Sequence, residues 1–164
     1  MATTKTATTK TLADAFHETL KDVLYAERAS ARALKKSAKA AKEPDLKRAF
    51  EEHLEETETQ IERLGEIFEI IGRAPRAKTC EAMQGITSEM EEALEDFADS
   101  PASDDVLIGC AQAVEHYEMA RYGMLKAWSA KLGYDEATPL LEKTLAEEKA
   151  ADERLTTIAE QLAA

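Results

Sequence analysis

Four long stretches of this chain repeat apolar residues at helical spacing, and in each of them a glutamate falls on the apolar stripe. The first stripe runs through Leu12, Phe16, Leu20, Val23, Leu24, Ala31 and Leu34, and the second through Leu46, Phe50, Leu54, Ile61, Leu64, Ile67, Phe68 and Ile71. Val106, Leu107, Ala111, Val114, Tyr122 and Leu125 mark the third; Leu141, Leu145, Leu155, Ile158 and Leu162 mark the fourth. The intruding residues are Glu27, Glu56, Glu118 and Glu148. Such a pattern restricts the chain to an all-α fold whose core contains carboxylates.

The breaks between stripes are equally plain. Proline disfavours a helical residue before it and suits the first turn of a new helix, so Glu43-Pro44 separates the first helix (about 11–41) from the second, which stops at Gly72. From Arg73 to Pro101 the spacing of Met83, Ile86, Met90, Leu94 and Phe97 predicts a shorter connector helix. The third long helix opens at a Ser103 or Asp104 cap and ends near Gly133; the fourth begins at about Asp135.

An internal repeat ties the halves together. Glu27 and Glu56 stand 29 residues apart and Glu118 and Glu148 stand 30 apart; aligning Glu27 with Glu118 places Leu34 on Leu125 and Lys35 on Lys126. Each half is therefore a helical hairpin, and a long crossover joins the two. That is the ferritin-like four-helix arrangement, with an extra short helix in the crossover. The expected organisation is a disordered Thr-rich tail at 1–10 followed by one helical domain at 11–164.

Composition agrees. With 44% hydrophobic residues, 6 Gly and 4 Pro in 164 residues, one helical domain with a sizeable core is expected. A formal net charge of -12 disfavours nonspecific attraction to nucleic acid or an anionic membrane, and leaves DNA protection only the Lys5 and Lys10 tail. The N-terminal segment has no signal-like apolar run, and no stretch approaches a membrane span, so a cytoplasmic location is expected. Cys80 and Cys110 have no paired spacing and read as ordinary thiols.

Removing an ionised carboxylate from water costs several kcal/mol, and a cluster of like charges adds repulsion. Two divalent cations would neutralise four such groups. With the first and fourth helices running one way and the second and third the other, Ala31, His53, Glu115 and Asp152 lie one turn to the same side of the glutamates. Leu24, Gln60, Tyr122 and Leu145 lie on the other side. The candidate ligands are thus Glu27, His53, Glu56, Glu115, Glu118, Glu148 and Asp152, with Glu56 and Glu148 as bridges. The competing reading is a degenerate site whose carboxylates pair with Arg28, Arg121 or Lys149, with His53 a hydrogen-bonded core residue and Glu115 and Asp152 solvated. His116 points about 100° from Glu115 and reads as a flank residue; Tyr25 and Tyr122 read as packing or as hydrogen-bond donors to the site.

The stretches LKDVLYAERASARAL, FEEHLEETETQIERL, CAQAVEHYEMARYGMLKAW and LLEKTLAEEKAADERL resemble the YciF-like branch of the ferritin-like superfamily, bacterial stress-associated proteins. The resemblance spans nearly everything after the first ten residues. It implies a bundle with a crossover helix, a homodimer and a two-metal carboxylate site. One departure is clear: Thr59 and Ala151 stand where di-iron bundles usually place the histidine of Glu-x-x-His. An oxygen-rich donor set with at most one imidazole suits iron or manganese, and leaves magnesium and calcium open. The expected function is reaction with oxygen or peroxide at two metals; the alternative is a noncatalytic acidic stress protein with a structural or vestigial metal.

Overall fold

The computed structural model describes residues 9–163, so most of the tail expected at 1–10 lies outside the described residues. Five helices follow in order: α1 (Leu12–Ala40), α2 (Pro44–Ile70), α3 (Glu81–Asp96), α4 (Ser103–Leu132) and α5 (Ala137–Leu162). α1 starts in a capping box, in which Asp14 accepts the Thr11 backbone N–H at 2.8 Å and Thr11 Oγ1 accepts that of Asp14 at 3.2 Å. Pro44 opens α2, and α4 ends on Gly133 with φ 71°, a left-handed conformation that glycine adopts without Cβ strain.

α1 packs on α2 and α4 on α5, and the contacts of α1 with α4 and of α2 with α5 close a four-helix bundle. The start of α4 lies at the α1–α2 turn, because the Asp104 carboxylate accepts the backbone N–H groups of Lys42 at 3.0 Å and Glu43 at 2.8 Å. At the far end Phe16 of α1 meets Tyr134 of the α4–α5 turn, with ring centroids 5.3 Å apart. α2 and α4 therefore run one way and α1 and α5 the other, which makes the crossover long. An extended segment carries it back, pinned where Lys78 N–H donates to the Lys21 carbonyl at 3.1 Å, and α3 then lies over α1 and α4.

The expected cap of α4 is corrected here. Ala102 occupies the N-cap position without a side-chain bond, and Asp104 instead satisfies the turn between α1 and α2. Two backbone donors that α2 would otherwise leave unpaired outbid the local role.

The core forms layers. At one end Phe16, Leu20, Leu24, Leu64, Phe68, Tyr122, Leu125 and Leu141 pack together; at the other, Leu34, Leu46, Phe50, Leu107, Ile108, Leu155 and Ile158 do. A smaller group, Ala26, Ala29, Cys80, Met83 and Val114, seats α3. Between the two main layers, on every helix of the bundle, lie the polar residues of the site.

Candidate metal centre

Each helix of the bundle sends side chains into this middle layer. Glu27, Glu115, Glu118 and Glu148 are all 2% exposed or less, and His53 is 6% exposed. Their phase follows from neighbours one or two turns away: Val23 and Leu34 flank Glu27, Ala111 and Tyr122 flank the α4 pair, and Leu141 and Leu155 flank Glu148, all of them buried.

The donor atoms fall into two overlapping trios. His53, Glu115 and Glu148 each offer one atom within 4.8 Å of the others, and so do Glu27, Glu118 and Glu148. Glu148 belongs to both. His53 Nε2 stands 3.2 Å from Glu115 Oε1 and 3.3 Å from Glu148 Oε2 without hydrogen-bond alignment to either. Its other nitrogen, Nδ1, lies 3.1 Å from Glu56 Oε2. If Nδ1 carries the proton and donates it to Glu56, Nε2 is left with a lone pair directed at the trio, the usual arrangement of a metal-ligating imidazole.

Tyr122, wholly buried, donates its hydroxyl to Glu27 Oε1. Seven further donor atoms make no aligned hydrogen bond: Glu27 Oε2, Glu115 Oε2, both oxygens of Glu118, both of Glu148, and His53 Nε2. Buried polar atoms are ordinarily hydrogen-bonded, and this many orphans in one place form a cluster that could hold a metal ion. A cluster of oxygens with one imidazole fits hard divalent cations.

Electrostatics point the same way. Burial, reinforced by the neighbouring Glu148, holds Glu27 well above the usual carboxylate range, against the opposing bond from Tyr122. Burial with Glu27, Glu148 and Glu115 does the same to Glu118. Glu115 is pushed up to about 8 by burial, which the adjacent His53 opposes. For His53 itself desolvation disfavours the charged ring, yet Glu115, Glu148 and Glu56 outweigh it and raise its pKa well above the ordinary value. Burial thus favours the protonated, neutral forms of Glu27, Glu115 and Glu118, while the facing carboxylates favour the charged ring of His53.

Two expected ligands stand elsewhere. Glu56 is half exposed, its side chain at 50%, and touches the site only through His53 Nδ1. The buried stripe of α2 runs His53, Thr57, Gln60, Leu64, so Glu56 is rotated by one residue, about 100°, from the inward direction. Asp152 turns to the groove between α4 and α5, where it accepts from Gln112 Nε2 at 3.2 Å and lies 3.1 Å from Nε2 of the exposed His116. Arg28, Arg121 and Lys149 make no ion pair with the cluster among the described residues: Arg28 and Lys149 are exposed, and Arg121 lies over the Tyr117 ring.

Arg63, one turn beyond Gln60, was not singled out by the sequence reading. It is 5% exposed and grips Glu147 through Nη1 and Nη2, at 2.7 and 3.1 Å, while Nη1 also donates to Thr144 Oγ1 at 2.6 Å. Gln60 Nε2 adds a bond to Glu147 at 3.2 Å. The signal was present in the phase, since residues 53, 57, 60 and 63–64 share one face of a helix. This clamp joins α2 to α5 beside Glu148.

Comparison with known proteins agrees with this architecture. Residues 11–164 match the family described as Domain of unknown function (DUF892). The chain belongs to that family. It is 42% identical over 151 residues to Protein YciF of Escherichia coli (strain K12), a match covering 92% of this chain and 91% of that one. The crystal structure of the E. coli stress protein YciF superposes with a TM-score of 0.90 at 41% identity, covering 94% of this chain and 98% of that one. YcfI from Rhodopseudomonas palustris gives 0.88 at 40% identity over the same shares. This family member thus has the ferritin-like all-α bundle, and no described helix is long and apolar enough to cross a membrane.

Proposed function

We propose that the chain is a two-metal carboxylate protein, holding iron or manganese, that protects against stress by reacting with oxygen or peroxide. The observation that carries this reading is the pair of overlapping buried donor trios that share Glu148. His53 and Glu115 would hold one ion, Glu27 and Glu118 the other, and Glu148 would serve both. Two such ions supply Lewis acidity and a clamp for the two oxygens of a peroxide.

The surrounding residues perform the supporting work. Glu56 fixes the His53 tautomer and orients the ring. Tyr122 occupies one oxygen of Glu27 and leaves Oε2 free. The apolar layers above and below keep bulk water out, which strengthens every charge interaction inside. A stress role is supported by the likeness to YciF, which is described as a stress protein; a homodimer is the assembly the resemblance implies, and sedimentation equilibrium tests it.

A second reading has its own support. His53 and the raised carboxylate pKa values allow the cluster to neutralise itself with protons, as a noncatalytic scaffold would. Anaerobic loading with Mn(II) or Fe(II), gel filtration and metal analysis separate the two. Two ions per chain are expected for the native protein, none for Glu148→Gln, one for Glu115→Gln and two for His116→Ala. Equal metal content in the native chain and Glu148→Gln would overturn the assignment, and two ions without peroxide consumption would favour the scaffold.

A further inference from the structure

We propose that a pocket between α2 and α5 is the port through which a hydrated divalent cation reaches the buried layer, and that the Glu52–Arg154 ion pair is its gate. The proposal rests on the two-ion reading above. The pocket, about 170 Å³, has His53 and Glu115 on its inner wall and Glu52, Glu56 and Arg154 around its mouth. At roughly 30 Å³ per water in the liquid, it holds an ion with several of its waters.

Two other approaches are closed to it. A second cavity that touches the layer, lined by Ser30, Ala111 and Glu115 among others, is only about 10 Å³, room for one water at most. On the far side, Tyr122, Leu24, Leu125 and Leu141 are 1% exposed or less. A cation therefore enters past His53, the most exposed residue of the two trios.

Small side chains keep the port open. Ala49 and Ala151 lie on its walls, and Ala150 at its exposed rim. Ala151 stands where di-iron bundles usually carry a histidine, and its small side chain leaves the passage clear. Arg154 reaches from α5 to Glu52 on α2 and bridges the mouth. Both partners are substantially exposed, 40% and 54%, and pairs so placed hold weakly, so an arriving cation can compete for the carboxylate. Two carboxylates against one guanidinium leave the mouth attractive to cations, and removing the guanidinium makes it more so.

Stopped-flow uptake of Co(II) by the full chain tests this, with rate and final stoichiometry read separately. Ala151→Phe should slow uptake ten-fold or more, and Arg154→Gln should speed it several-fold, with the final metal content unchanged in both. Circular dichroism checks folding, and Ala150→Leu at the exposed rim provides a milder block. A readout without metal is alkylation by iodoacetamide of an Ala49→Cys variant, located by peptide mapping, which should be slowed by Ala151→Phe and hastened by Arg154→Gln. Normal stoichiometry at unchanged rates in every variant would overturn the port and leave the two-ion reading standing. No uptake by the native chain, with alkylation still gated, would overturn the two-ion reading and support the passage itself.

Discussion

Glu118 shows the tension in this molecule most clearly: it is 1% exposed and neither oxygen has a partner. A buried polar group left unsatisfied costs about 1–3 kcal/mol, and more when charged. Glu118→Met should therefore raise the melting temperature of the metal-free protein, by about 2–4 °C per kcal/mol recovered in a chain of this size, and should abolish the additional stabilisation by Mn(II) that depends on the second ion. Calorimetry with and without Mn(II) reads both.

The pH dependence follows from the same residues. Glu27, Glu115 and Glu118 have folded pKa values above the ordinary 4.5, and His53 lies above 6.5. Groups raised on folding contribute stability that is complete below the unfolded pKa and is lost as pH rises through the folded one. The metal-free protein should accordingly melt at progressively lower temperature from about pH 5 through 8, where Glu115 titrates. Mn(II) requires deprotonated ligands, so the loaded protein should show a flattened or reversed slope. A steeper fall with metal than without would contradict this account.

The inward direction of five of the seven candidate residues, Glu27, His53, Glu115, Glu118 and Glu148, was legible because their helix phase was fixed by close apolar neighbours on both sides. Glu56 and Asp152 were misplaced for one reason: a step of three and a step of four residues both approximate a helical turn, and they differ by 100°. On α2 the inward position falls at Thr57, 1% exposed, whose hydroxyl is satisfied by the His53 carbonyl at 2.9 Å.

At the scale of elements, the helices were visible in the apolar period and the punctuation at Pro44 and Gly133. Their tertiary polar ties were not. The bonds from Asp104 to the α1–α2 turn and from Arg63 to Glu147 join residues 61 to 84 positions apart, where no local rule operates. Asp104→Ala would leave the Lys42 and Glu43 N–H groups without their acceptor, and should cost about 1–3 kcal/mol in urea unfolding. Arg63→Met should do more harm, since breaking a buried ion pair from one side costs about 3–5 kcal/mol, with partly exposed Glu147 tending to the lower figure. Equal effects of the two substitutions would show that the clamp between α2 and α5 is no stronger than a turn contact.

At the scale of the molecule, two apolar layers sandwich one polar layer, and the crossover with α3 fixes the directions that bring His53, Glu115 and Glu148 together. Topology was legible because the repeat demanded two hairpins, and the structural likeness to YciF agrees with it. On the two-ion reading, this layer holds both ions around Glu148, and anomalous diffraction from crystals loaded with Mn(II) locates them. Two peaks sharing the Glu148 carboxylate are expected, one beside His53 Nε2 and the other beside Glu27 Oε2. A layer without a peak, or manganese found only at His116 and Asp152, would contradict that reading.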